Sequence, residues 1–204
     1  MLKIGLITTN FRLVNEVAKQ AKNIGVSIRF YGDTTHYHND TRIVIVAEKN
    51  AMNNKIIKNA KILFLRDVED VLYTLLKAVY YGKNGSSWDK LIVGIDPGHQ
   101  IGFALTVDDI LIYKNIFRDF STFKYFLEYI LQKFDTKDCF ICIGNKDSSF
   151  IANVKNIVNS NKACATRIHL FVIDETATSA KVKDDDAALR IIYKFKEMWR
   201  FNRL

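Results

Sequence analysis

Leu91-Ile92-Val93-Gly94-Ile95-Asp96-Pro97-Gly98-His99-Gln100-Ile101-Gly102-Phe103-Ala104-Leu105 reads as a buried strand that delivers one carboxylate, turns on Pro-Gly and returns as a second strand. The run before Asp96 has the apolar density of a strand covered on both faces. A carboxylate at the tip of such a strand is costly to bury unpaired, so it needs a cation, a hydrogen-bond donor or a chemical role. Pro97, the one proline of the 204-residue chain, joins Gly98 in a strong turn signal. Gly102 lets another backbone or a ligand come close.

Outward from this hairpin the pattern continues as strands at residues 90–96, 101–107 and 110–116, the last two joined by an Asp108-Asp109 turn. A helix over 121–134 follows, with Phe123, Phe126, Leu127, Ile130, Leu131 and Phe134 on its apolar side. Then come a strand at 139–144, a helix near 148–159, a strand at 168–173 and a final helix over about 185–200. The order is β-β-β-α-β-α-β-α. Upstream, strands are predicted at 3–8, 27–31, 42–47 and 61–65, with helices at 12–24 and 68–81. Alternating strands and helices imply a small parallel sheet with helices packed on it. A glycine-rich phosphate loop is absent there: Thr8-Thr9-Asn10-Phe11 stands at the first strand-to-helix turn. The fold class is thus α/β. A small Rossmann-like amino-terminal domain (1–83) and a linker (84–89, opening Asn84-Gly85-Ser86-Ser87) precede a second domain over 90–204.

Composition narrows the partners. The chain carries 30 Lys and Arg against 22 Asp and Glu, a net charge of +8. Residues 1–88 hold 13 basic and 7 acidic side chains, and residues 89–204 hold 17 and 15. Such a basic excess fits either a nucleic-acid partner or a solvated lysine-rich surface. Cys139, Cys142 and Cys164 are too few for a disulfide framework. Cys139 and Cys142, three apart in one strand, point to opposite faces. They read as reduced core thiols of a cytoplasmic protein. No signal peptide and no membrane-spanning run is expected.

Two further acidic clusters stand at element ends. Asp174-Glu175 closes the strand at 168–173, and Asp184-Asp185-Asp186 opens the final helix. Aspartates at a helix start cap it and complement its dipole. Three in a row repel one another, which a divalent cation relieves. Ala188, Ile191, Ile192, Phe195 and Trp199 form the buried stripe of that helix, and Asp184 lies four residues before Ala188 on the same stripe. Asp185 falls near its edge and Asp186 further round, with Arg190 on the solvated side. Oxygen ligands from several element ends suit Mg²⁺. Two such ions about 4 Å apart can activate water and steady a leaving oxygen in phosphodiester cleavage.

These segments carry a resemblance. Ile92-Val93-Gly94-Ile95-Asp96-Pro97-Gly98 and the strand order resemble the RNase H-like fold, in its RuvC-type Holliday junction resolvase branch and the YqgF relatives. Val172-Ile173-Asp174-Glu175-Thr176-Ala177-Thr178-Ser179-Ala180 is similar to the Asp-Glu-x-x-[Ser/Thr]-[Ser/Thr] stretch of YqgF-type proteins, and Asp184-Asp185-Asp186-Ala187-Ala188 to their final helix start. The resemblance spans about residues 90–200. It implies a metal-dependent nuclease, with Asp96 and Asp184 binding Mg²⁺ or Mn²⁺, two ions in all. Asp174 or Glu175 would add a third carboxylate, and Asp185 is a further metal-ligand candidate. The implied substrate is nucleic acid, DNA before RNA, with branched DNA by analogy to resolvases. The chain departs from the RuvC-type pattern at Gly144, where those enzymes have glutamate; YqgF-type proteins have glycine there. The missing acid motivates the alternative, a non-catalytic nucleic-acid-binding or scaffold protein on the same fold. An actin-like fold shares only the Gly-Ile-Asp-x-Gly opening and needs two such domains.

Other residues are weighed alongside. His99, after the turn, reads either as a phosphate-contacting group near Asp96 or as a surface histidine. Lys181 and Lys183 lie between the acidic clusters, placed to hold a nucleic-acid backbone or simply solvated. His36 and His38 form a weak metal signal. Tyr31, Tyr37, Tyr80 and Tyr81 could stack on bases, while Tyr80 and Tyr81 also fit the end of a packed helix. The amino-terminal domain is left to position substrate or to pair subunits in a homodimer.

Overall fold

The computed structural model describes residues 1–33, 37, 41–47, 60–161, 167–174 and 184–201, and for Asp184, Asp185 and Phe201 it describes the backbone alone. The protein is a mixed α/β chain that divides into two compact units, Met1–Ser86 and Ser87–Leu204.

In the first unit, β1 (Lys3–Ile7), β2 (Ser27–Tyr31), β3 (Ile43–Val46) and β4 (Lys61–Phe64) form a parallel sheet in the order β2-β1-β3-β4. Helix α1 (Phe11–Asn23) starts at Asn10, whose Oδ1 accepts the Leu13 N–H at 3.2 Å. Its buried residues Leu13, Val17 and Ala21 recur every four positions. With Val71, Leu75 and Ala78 of α2 (Val71–Gly82), they cover Ile4, Leu6, Ile43 and Ile45. The opposite face holds Ile7, Val44, Val46, Tyr31 and Tyr37. Tyr31 and Tyr37 meet edge to face at 5.3 Å, and the Tyr37 hydroxyl donates to the Thr41 carbonyl at 2.7 Å. Tyr80 is fully buried, and its hydroxyl accepts the Ser86 N–H at 3.1 Å. Tyr81 faces the Lys61 ammonium, 3.5 Å from its ring centroid. Tyr31, Tyr37 and Tyr80 are therefore core residues and have no open ring face to offer a base.

The second unit holds β5 (Lys90–Asp96), β6 (Ile101–Val107), β7 (Ile110–Phe117), α3 (Phe120–Lys133), β8 (Asp138–Gly144), α4 (Ser148–Ser160), β9 (Arg167–Ile173) and α5 (Asp184–Phe201). The sheet order is β7-β6-β5-β8-β9. β6 is antiparallel to both β5 and β7, while β5, β8 and β9 run parallel. Asp108 and Asp109 turn the β6–β7 hairpin with positive φ at both (45° and 72°), the geometry that matches strand twist in a two-residue turn. The Asp108 carboxylate accepts the N–H groups of Trp88 (2.7 Å), Asp89 (3.1 Å) and Lys90 (2.8 Å). That fixes where β5 begins. Asp109 pairs with Lys90 (3.2 Å) and Lys196 (3.0 Å). Burial alone would push its carboxyl up, but the hydrogen bonds and charges of Lys196 and Lys90 outweigh this and hold it below the usual range.

Alternation splits the sheet cleanly. Phe103 points to the face where α3 and α4 pack, in an aromatic cluster with Phe117, Phe123 and Phe126, extended by the Phe123–Phe150 contact. Ile92, Ala104, Phe140 and Cys142 point the other way, beneath Ala188, Ile191, Ile192 and Phe195 of α5. The stripe read from the sequence is the face that α5 buries, although Arg190, expected in solvent, is partly buried. The seat of α5 is Gly94: a Cβ there would stand 2.2 Å from the Ala188 carbonyl oxygen and 2.7 Å from Ile192 Cγ1. Because the first obstacle is backbone, the helix itself would have to lift.

Gly94→Ala is expected to destabilise the second unit by about 2–3 kcal/mol. Both tryptophans of the chain, Trp88 and Trp199, lie in that unit, so urea unfolding followed by tryptophan fluorescence reads it directly; an unchanged midpoint would contradict the close approach.

Candidate functional site

Three parallel strands end at one edge of the second sheet: β5 at Asp96, β8 at Gly144 and β9 at Ile173. Asp96 shares a face with Gly94, two residues back, and so projects towards the α5 side. The helix arrives at that same edge. Ala188 sits over Gly94, and Phe195 packs at 5.5 Å on Phe140, the register partner of Ile92. From Ala188 to Phe195 the helix therefore retreats down the strand, so α5 runs antiparallel to β5 and its first turn lies at the Asp96 end. From Gly94 to Asp96 the strand advances about 6–7 Å. From Ala188 back to Asp184 the helix advances about 6 Å the same way. The backbone of Asp184 thus starts at the edge where Asp96 stands.

Asp96 is 6% exposed. The cation its burial demands comes from Lys146, whose Nζ donates to Asp96 Oδ1 at 3.0 Å. Lys146 lies in the loop just past β8, the strand hydrogen-bonded beside β5. Asn145, the residue before it, donates from Nδ2 to Asp174 Oδ1 at 3.1 Å, and its N–H binds the Ile173 carbonyl at 3.1 Å. Lys194 of α5 donates to the Asp174 carbonyl oxygen. The exposed carboxylate of Asp174 thus belongs to the β8–β9 end. With β8 between them, the ends of β5 and β9 lie about 10 Å apart.

The remaining candidates separate by position. His99 is exposed on the turn beyond Asp96. Asp186 faces β7, where Lys114 Nζ pairs with its Oδ1 at 2.8 Å. Asp147 is a helix cap: its Oδ1 accepts the N–H groups of Ser149 (2.9 Å) and Phe150 (3.0 Å) and the Ser149 hydroxyl (2.8 Å). The Phe150 N–H and the Ser149 hydroxyl hold the Asp147 carboxyl below the usual range. Glu175, Lys181 and Lys183 lie outside the described residues, as do His36, His38, Cys164 and the side chains of Asp184 and Asp185. Among the described residues no group of three or more His, Cys, Asp or Glu side chains is placed to hold a metal ion. Cys139 and Cys142 are buried thiols outside any disulfide; burial, with Cys139 adding to it, pushes the Cys142 thiol up.

Lys146 and Asn145 border the Asp96 edge without having been singled out from the sequence. That reading stops at Gly144, where an acid is lacking. The available signal was the strand order: with β8 beside β5, the residues after Gly144 must border Asp96.

Among the described residues no helix is long and apolar enough to cross a membrane. No protein-family model and no curated protein matches the sequence.

The Asp147 cap gives a pH prediction. A carboxyl held low in the folded state stabilises fully above the ordinary carboxylate range, and that contribution fades as pH falls through the folded value. The urea midpoint of the wild type is expected to drop between about pH 6 and pH 3, and Asp147→Asn, which keeps a capping oxygen without a titrating one, should drop less. Equal drops in the two proteins would remove the ionised cap from the account.

Proposed function

We propose that residues 90–204 are an RNase H-like nuclease domain of the RuvC/YqgF type, hydrolysing phosphodiester bonds in nucleic acid, with branched DNA the foremost substrate. One observation carries the reading. A buried carboxylate, Asp96, stands at the carboxyl edge of a β7-β6-β5-β8-β9 sheet whose closing helix begins with Asp184 at the same edge. Counted within the unit that order is 3-2-1-4-5.

The donor chemistry fits a hard divalent ion. Asp96 offers carboxylate oxygens at the sheet edge, and Asp184 enters the same edge from α5; these two would hold Mg²⁺ or Mn²⁺, with Asp174 or Glu175 adding a third carboxylate and Asp185 a further ligand candidate. When bound, such ions lower the pKa of a water and stabilise the developing charge on a leaving oxygen. The other residues act on substrate. His99, exposed past Asp96, is within reach of a phosphate at the edge. Lys181 and Lys183, in the segment entering α5, supply charge for the backbone. The basic excess of residues 1–88 supports a nucleic-acid partner, with the first unit positioning substrate or pairing two subunits. The reduced buried thiols of β8 support a cytoplasmic setting.

A specific observation also favours a second reading, a non-catalytic nucleic-acid-binding or scaffold protein. The ammonium of Lys146 already neutralises Asp96, and Gly144 stands where resolvases carry an acid.

Purified protein incubated with labelled four-way junction, flap, single-stranded DNA and RNA/DNA hybrid, with Mg²⁺ or Mn²⁺, separates the two. The nuclease reading expects cleavage, reduced at least about 100-fold in a folded Asp96→Asn variant. Cleavage unaffected by that substitution would move the site elsewhere. Binding that weakens steeply with salt, without cleavage of any substrate, would establish the scaffold.

A further inference from the structure

We infer that Lys146 is a built-in counter-ion that occupies the cation position on Asp96 and must give it up to a divalent ion, so that this lysine sets the metal affinity of the site. The inference rests on the nuclease reading of the same edge and adds to it a positioning residue that the resemblance does not supply.

The first ground is geometric. Lys146 Nζ lies 3.0 Å from Asp96 Oδ1, inside hydrogen-bond range. A cation coordinated by that oxygen and the ammonium need the same lone pairs, so occupancy by one displaces the other. The strand beside β5 ends at Gly144, two residues before Lys146.

The second ground is the asymmetry of burial. The Asp96 side chain is 8% exposed, whereas that of Lys146 is 55% exposed. Asp96 cannot leave, and its charge needs compensation at all times. Lys146 keeps about half of its side chain in solvent, and partly exposed ion pairs are weak. This one fixes the anion and leaves the cation exchangeable. It keeps the edge neutral until a stronger cation arrives, and the released ammonium stays beside the edge, where it can balance a phosphodiester.

The test is Mn²⁺ binding to the full-length protein, followed by electron paramagnetic resonance of the free ion, together with the rise in Tm that Mn²⁺ produces. With its competitor removed, Lys146→Met is expected to bind Mn²⁺ about five-fold more tightly than the wild type and to gain more Tm from it. Lys146→Arg, which keeps the charge, should stay near the wild type, and Asp96→Asn should bind weakest. If Lys146→Met does not fold, Lys146→Gln takes its place in the same comparison. Equal or weaker Mn²⁺ binding on loss of the lysine, with Asp96→Asn still defective, would overturn the inference and leave the metal site standing. Mn²⁺ binding absent from the wild type, or unaffected by Asp96→Asn, would overturn the nuclease reading and this inference with it.

Discussion

The contact on which the second unit depends is backbone on backbone: the Ala188 carbonyl of α5 rests where a side chain of Gly94 would be. An interior strand position rarely has reason to be glycine, which costs conformational entropy and packs nothing. Here it lets a helix lie directly on the sheet, and everything at the candidate site follows from that seating. Asp96 is two residues further along the same face, so the helix that buries Ile92 and Cys142 also draws its own first turn to the Asp96 edge. A bulkier residue at 94 would lift α5 and move the acidic end of the helix away from the carboxylate.

The second constraint is the charge of Asp96. A buried carboxylate needs a cation, a donor or a role, and the loop after β8 supplies the cation. Lys146 answers the burial cost, yet its own exposure keeps it exchangeable. The neighbouring polar contacts, Asn145 to Asp174 and Lys194 to the Asp174 carbonyl, tie the ends of β8 and β9 to each other and to α5. The edge is therefore braced around one buried anion.

Local patterns were legible because they depend on near neighbours. The buried stripe of α5, the apolar side of α3 and the Asp108-Asp109 turn were readable from spacing and turn chemistry alone. Asp96 was readable as a buried carboxylate because its flanks were apolar on both faces. Lys146 was not, since its partner lies 50 residues away and only the strand order brings them together. Asp186 went the same way: its place at the helix start was clear, but its pairing with Lys114 of β7 is set by how α5 crosses the sheet. Tyr31 and Tyr37 show the opposite failure, whereas Tyr80, read also as the end of a packed helix, is buried there. Tyr31 and Tyr37 read as rings able to stack on bases, whereas the sheet and the Tyr37 hydroxyl bond to Thr41 place them in the core.

The most direct measurement is anomalous diffraction from crystals of the full-length protein grown with Mn²⁺. The expected result is a metal peak about 2.1–2.3 Å from a carboxylate oxygen of Asp96, shared with Asp184, and Lys146 Nζ displaced from its 3.0 Å contact. Lys146 still bound to Asp96, with the Mn²⁺ signal elsewhere on the surface, would contradict a metal-dependent site at this edge.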